Sequence, residues 1–172
     1  MKKTTISFLA TVFIVTLSFN KVNAQKMSEP QNVNASVVVM KPANEVWNEL
    51  SKINGVEKIA PMITESHIMG TGKAEEGCTR SCKTSDGNTL EEKIVKLDNK
   101  NMTYTYEIVK GMPAKMTNSF KVIPLGDKAC KVIWNSNYSY MENPMMKKDE
   151  FFVLVNMTGQ ALMDGTKANF SK

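Results

Sequence analysis

Two periodicities of apolar and polar residues run along the chain. Residues 35–40 form a continuous, mostly β-branched stretch, which predicts a buried strand stopped by Lys41-Pro42. Val46, Trp47 and Leu50 have helical spacing and predict a helix over 43–50. Asn54-Gly55 closes that segment, and a short second helix is expected over 56–59, ended by Pro61. From there the period becomes two. Strands are predicted over 63–69, 77–84, 89–97, 102–109, 115–123 and 128–140. Asp86-Gly87, Asp98-Asn99, Gly111-Met112-Pro113 and Gly126-Asp127 supply the turn chemistry between them. Short connections make these strands antiparallel neighbours, and a twisted sheet of this size curls. Tyr104, Tyr106 and Ile108 fall on one side of their strand, as do Met116, Asn118, Phe120 and Val122, and then Val132, Trp134, Ser136 and Tyr138. That common side is expected to be concave.

The last segment fits the concavity. After Asn143-Pro144, over 147–169, Phe151, Phe152, Val155, Gly159, Leu162 and Met163 fall on one stripe at about 100° per residue, so one long helix should pack into the sheet. Glycine costs about 1 kcal/mol relative to alanine in a helix, so Gly159 marks either close approach to the sheet or open space. The class is α+β, in the order β-α-α-β6-α, with about seven strands.

The hairpin over 77–94 carries the most telling polar pair. With Asp86 at the turn centre, Cys82 faces Leu90 and Arg80 faces Glu92, on the face that also carries Ile94. An arginine and a carboxylate among apolar neighbours are expensive in a solid core and suit a cavity wall. Arg80 offers several donors in a fixed fork, fit for a carboxylate or polarised carbonyl, with Glu92 holding it in place. The competing reading is a closed ion pair that only fixes strand register. Tyr104, Tyr106, Tyr138, Asn118 and Ser136 would orient a polar head, or else simply pack. Met62, Met112, Met116 and Met163, on inward or loop positions, suit an adaptable apolar pocket.

The N-terminus changes the compartment. Lys2 and Lys3 precede an uncharged run over 6–19, then a small-residue cleavage pattern at Val22-Asn23-Ala24 ahead of Gln25. The run is short for a membrane span, which takes about 20 apolar residues. Residues 1–24 are therefore read as a cleavable export signal, with the periplasm as destination or secretion as the alternative. Residues 25–33 are then a disordered or extended lead-in, and 34–170 a single domain. The formal charge of +5 includes Lys2, Lys3 and Lys21, so without them it falls to +2. With Arg80 the lone arginine, a nucleic-acid surface has little support. Three cysteines cannot all pair within one chain. Cys78 and Cys82 lie too far apart along one strand to bridge each other. The C-x3-C spacing lacks a second Cys/His pair and His67 is the single histidine, so no metal site is expected.

In order and spacing, Lys41-Pro42-Ala43 with Val46-Trp47-Asn48-Glu49-Leu50, Gly77-Cys78-Thr79-Arg80, Asp86-Gly87 with Glu91-Glu92-Lys93-Ile94, Tyr106 and Val132-Ile133-Trp134 resemble the START-like, helix-grip proteins grouped as SRPBCC. Within that superfamily the resemblance is to the polyketide cyclase/dehydrase and lipid-transport family. It implies a sheet gripping a long C-terminal helix, with an apolar cavity between them for lipids, hormones or polyketides. It also implies gate loops, here 84–88 and 110–114, making Asp86, Gly87, Met112 and Pro113 lid residues. The gate sequences of the plant hormone receptors are absent. The expected ligand wall comprises Arg80, Glu92, Tyr104, Tyr106, Met116, Asn118, Phe120, Trp134, Ser136, Tyr138, Phe152, Val155, Gly159 and Leu162.

Three functions fit. The first is a noncatalytic exported protein holding a hydrophobic small molecule or lipid, without a cofactor. The second is a cyclase- or dehydrase-like enzyme, in which Glu92 is the available general base and its pairing with Arg80 a handicap. The third is an interaction module with a collapsed cavity and an exported protein partner. The chain has no Ser-His-Asp or Cys-His set for nucleophilic hydrolysis, because His67 lies on a different element from any inward cysteine.

Overall fold

The computed structural model describes residues 26–171 apart from 145. The expected export segment and the expected cleavage site ahead of Gln25 lie outside the described residues. Strand β1 (Gln31–Val39) leads to helix α1 (Ala43–Leu50) and a single 3-10 turn (Val56–Lys58). Six strands follow: β2 (Ile63–Ile68), β3 (Thr79–Thr84), β4 (Thr89–Asp98), β5 (Thr103–Lys110), β6 (Ala114–Pro124) and β7 (Cys130–Tyr140). Helix α2 (Lys148–Phe170) ends the chain.

All seven strands form one antiparallel sheet in the order β1-β7-β6-β5-β4-β3-β2. Sequential hairpins generate most of it, and β1 returns to the far edge beside β7. Register follows the alternation: Phe120 lies opposite Trp134, Tyr104 opposite Phe120, and Arg80 opposite Glu92. These inward side chains make the core with the buried face of α1, Val46, Trp47 and Leu50. The Trp47 indole N–H donates to Asn99 Oδ1 at 3.1 Å, tying α1 to the β4–β5 turn.

The strand expected to be buried throughout is instead half-exposed. Val33 and Val39 are buried while Val38 and Met40 face solvent, because β1 is an edge strand with α2 on one face only. The lead-in is extended where it is described. The strand begins at Gln31, and Met27 and Ser28 bridge to Met141 and Tyr140, extending the β1 edge.

Helix α2 lies in the concavity and packs on β1 and β7. Asp149 and Glu150 occupy its first turn, where carboxylates favour the helix dipole, and Glu150 Oε2 accepts from the Lys147 backbone N–H at 2.9 Å. Phe151, Val155, Leu162 and Met163 are buried as the stripe requires. Phe152 is the exception, 44% exposed. It sits about 100° round the helix from Phe151, away from the side on which Leu154 and Thr158 approach the sheet's interior, so the inward arc is narrower at this end.

Gly159 answers its own question as close approach. A Cβ there would come within 2.8 Å of the Trp134 ring and 3.2 Å of the Ala35 Cβ. A Cβ at Gly165 would run into the Ile59 backbone carbonyl, which cannot swing aside. Gly165→Ala should therefore destabilise the protein by about 1–3 kcal/mol despite the gain in helix propensity, and more than Gly159→Ala, whose obstacle is a side chain. Urea denaturation of the two variants measures this.

Candidate functional site

Between the sheet and the N-terminal half of α2 lies a cavity of about 300 Å³. Its floor is made by β3–β7 through Arg80, Cys82, Glu92, Tyr106, Asn118 and Trp134. Val155 and Leu162 of α2 close one side, and Val56, Ala60 and Met62 close another. Ile108, Met112 and Met116 complete an apolar lining. The rim comes from the β3–β4 turn (Thr84, Ser85, Asp86, Asn88), the β5–β6 loop (Gly111, Met112), and Leu154 and Thr158 of α2.

Both rim loops are internally braced. Asp86 accepts from Thr84 Oγ1 at 2.5 Å, from Asn88 N at 3.2 Å and from Asn88 Nδ2 at 2.9 Å, and these bonds hold its carboxyl below the usual aspartate range. Gly111 has φ 98°, and a Cβ there would lie 2.5 Å from the Thr89 carbonyl, so the second loop sits directly on the start of β4.

The charged pair is closed. Arg80 Nε donates to Glu92 Oε2 at 2.7 Å, Nη2 lies 2.6 Å from the same oxygen, and Nη1 donates to the Ile53 carbonyl. Burial is the largest single influence on the guanidinium and pulls its pKa down; the adjacent Glu92 carboxylate, together with Tyr104, Cys82 and Tyr106, outweighs it and holds the pKa well above its ordinary value. The guanidinium carbon also sits 5.4 Å from the centre of the Tyr106 ring, within cation–π range. Ile53 has φ 65°, a left-handed conformation unfavourable for a β-branched residue, and it is 1% exposed. Arg80 thus holds the strained connection after α1 against the sheet.

The other polar wall groups are engaged, with one exception. Trp134 Nε1 donates to the Tyr106 hydroxyl at 3.1 Å, and Cys82 Sγ lies 3.4 Å from Glu92 Oε2. Burial, reinforced by Glu92, pushes the Cys82 thiol up to about 12 and the Tyr106 hydroxyl well above its usual value. Asn118 Oδ1 has no hydrogen-bond partner, and neither do the hydroxyls of Ser136 and Tyr138.

The cavity thus brings together Arg80, Glu92, Tyr106, Met116, Asn118 and Trp134 from the sheet, Val155 and Leu162 from the helix, and Asp86 and Met112 from the loops. The remaining expected residues lie elsewhere. Tyr104 and Phe120 stack on each other at 5.3 Å inside the core, and Tyr104 borders a separate void of about 50 Å³ behind Arg80. Tyr138 packs edge-on against Phe151 at 5.2 Å, Ser136 is fully buried, and Gly159 lies against Trp134. These five are inward but covered: α2 packs over β1 and β7 on the side of Ser136, Tyr138 and Gly159, and Tyr104 and Phe120 lie under α1, whose Trp47 ring is 6.4 Å from that of Tyr104. Gly87 and Pro113 belong to the rim loops without lining the cavity, and Phe152 is on the surface. The wall formed by Val56, Ala60 and Ile63 was not anticipated as part of the site. The apolar Val56, Ile59 and Ala60 around the short turn were its signal.

A curved antiparallel sheet gripping one long helix over a cavity defines a helix-grip protein of the SRPBCC type. Residues 30–165 match the family described as polyketide cyclase / dehydrase and lipid transport, and the chain belongs to it. No curated protein matches the chain. Among solved structures, XoxI from Bacillus cereus is similar at 18% identity and TM-score 0.72, over 82% of this chain and 96% of that one. The Zhui aromatase/cyclase from a Streptomyces strain is similar at 15% identity and TM-score 0.72, covering 83% and 94%. A Thalictrum norcoclaurine synthase point mutant, in complex with a transition-state analogue, follows at 14% identity and TM-score 0.57, covering 81% and 98%. At these identities the likeness shows the fold.

Two outcomes test the geometry. Breaking the pair by Arg80→Ala or Glu92→Gln should each destabilise the protein, the arginine change by roughly 3 to 5 kcal/mol, whereas Arg80→Met with Glu92→Leu should recover most of the loss. Chemical denaturation of the three variants gives the comparison; a double variant as unstable as Arg80→Ala would contradict it. Thiol reagents at pH 8 should label Cys78 alone in the native protein, since Cys130 is buried and Cys82 holds about one part in ten thousand thiolate. Counting modified thiols by mass before and after denaturation checks it.

Proposed function

We propose that this protein is an exported carrier that holds a hydrophobic small molecule or lipid between its sheet and C-terminal helix, and that it catalyses no reaction on it. The observation that carries this reading is the cavity itself, about 300 Å³ with a mostly apolar wall, of a size that suits a small-molecule guest. Met62, Met112 and Met116 on that wall favour an irregular apolar guest, because a thioether chain can change rotamer at little cost. The rim loops 84–88 and 110–114 stand where a guest would enter.

The noncatalytic side rests on the state of the polar groups. Glu92 Oε2 accepts from two guanidinium nitrogens and from Cys82, so the carboxylate serves as the counter-ion of Arg80, and a proton taken up at its other oxygen would leave the buried guanidinium without its charge partner. The Tyr106 hydroxyl, raised by burial, is a poor base near neutrality. Export rests on the charged start, the short apolar run and the small residues before Gln25, with the periplasm as the proposed destination.

The test is to isolate the protein from its native envelope, compare native with denatured mass, and identify whatever extracts. A stoichiometric apolar guest is the expected result. Protein that carries nothing, and that binds no fluorescent lipid probe, would remove the carrier reading in favour of a protein partner. A sample retaining residues 1–24 and found in the cytoplasm would remove the export reading alone.

A further inference from the structure

We propose that Glu92, through the carboxylate oxygen left over from its pairing with Arg80, anchors the guest, and that the guest brings to it an O–H or N–H donor and no negative charge; this rests on the carrier reading above. Every contact that Glu92 makes within the protein falls on one oxygen. Oε2 accepts from Arg80 Nε at 2.7 Å and from Cys82 Sγ at 3.4 Å, and lies 2.6 Å from Arg80 Nη2. Oε1 has no partner among the described residues, yet it is open to contact by water, unlike Asn118 Oδ1 and the Ser136 and Tyr138 hydroxyls, which are sealed. Glu92 as a whole is 7% exposed, and it lines the cavity and not the void behind Arg80, so Oε1 opens into the cavity.

The surrounding wall cannot satisfy that oxygen. Across the sheet from Glu92 stand Ile108 and then Met116, neither with a hydrogen to give. The guanidinium and the Cys82 thiol are already engaged at Oε2. A charged oxygen is the stronger kind of acceptor, so a guest that displaces water from it without bringing a donor loses affinity. Asn118 adds the opposite polarity. Its amide oxygen is sealed and its amide nitrogen is not, so it turns an N–H donor to the cavity, two strands from Glu92 and without a bond to it. A second oxygen on the guest, placed over β6, would accept from it.

The same wall argues against an anion. The charged residues bordering the cavity are Arg80, Asp86 and Glu92, one cation against two carboxylates. The cation is committed to Glu92 and to the Ile53 carbonyl. Asp86 stands at the rim, held in its ionised form by Thr84 and Asn88. An anionic guest would pass one carboxylate at the mouth and meet the open oxygen of another on the floor, with no free counter-charge. A hydroxyl or an ammonium group supplies the donor without that conflict.

Four aromatic probes of similar size separate the possibilities: naphthol, naphthylmethylamine, methoxynaphthalene and naphthoate, each titrated into the purified protein at pH 7 by calorimetry or fluorescence. At least one of the two donors should bind about tenfold more tightly than methoxynaphthalene, and naphthoate no better than the ether. The tighter donor names the group, hydroxyl or ammonium. Glu92→Gln keeps the shape and an acceptor for Arg80, so its amide oxygen turns to the guanidinium and its amide nitrogen to the cavity. There the donor's advantage should fall to within about twofold, with methoxynaphthalene itself little changed. If the ether binds as tightly as both donors, or the advantage survives in Glu92→Gln, the assignment is wrong while the carrier reading stands. Naphthoate binding tightest would also overturn it, since Arg80 would then be reading an anion. If none of the four binds and no guest co-purifies, the carrier reading itself falls and takes this proposal with it. The ranking on the unaltered protein decides the matter even where the variant folds poorly.

Discussion

The contact between Arg80, Glu92 and the Ile53 carbonyl joins the β3–β4 hairpin to a distant part of the chain, the connection after α1. It pairs β3 with β4, and it pins the connection after α1 to the inner face of the sheet. A guanidinium that is 1% exposed survives only if its charge and its donors are both matched. The carboxylate supplies the charge, and a backbone carbonyl from a left-handed isoleucine supplies the rest. That demand fixes where the 3-10 turn and the start of β2 can sit. These in turn form the wall of the cavity opposite α2. The empty space in the protein thus exists beside a point of unusually strict polar matching.

A consequence for function is that the two charges on the cavity floor are already paired with each other before any guest arrives. Much of what remains for recognition is shape and polarisable sulfur. The fold neighbours, an aromatase/cyclase and a norcoclaurine synthase among them, share the sheet and helix at 14–15% identity, a level at which the side chains on the wall are free to differ. Chemistry must be argued from those side chains, and the proposed carrier role rests on them rather than on the neighbours.

Much of the architecture was legible because hairpins are local. Asp86-Gly87 sets the register that puts Arg80 against Glu92, and the alternation of Met116, Asn118 and Phe120 survives in the sheet without a slip. What escaped was non-local. Alternation says that Ser136, Tyr138 and Phe120 point inward, but only the placement of α2 over β7 and of α1 over β6 says that they are covered rather than facing the cavity. The β-branched run at 35–40 has the composition of a central strand, and its place at the sheet edge depends on a partner about a hundred residues later. Phe152 fits the helical stripe by angle alone, and the narrowing of that stripe near the cavity is a property of the sheet beneath it. Arg80 and Glu92 were readable as a pair, whereas the third member, a main-chain oxygen, has no residue type by which it could be recognised.

The two glycines of α2 divide the helix mechanically. Gly159 rests on the Trp134 ring and Ala35, and Gly165 on the Ile59 carbonyl beside the 3-10 turn, so at both points the helix backbone comes down directly, with no side chain of its own in between. Before Gly159, Leu154, Val155 and Thr158 border the cavity instead. A beam clamped along one half takes up bending in the other. Guests of different bulk would then be accommodated by the tilt of the first turns of α2, moving the mouth rather than the core, and the hydrophobic interior need not be repacked each time the cavity fills.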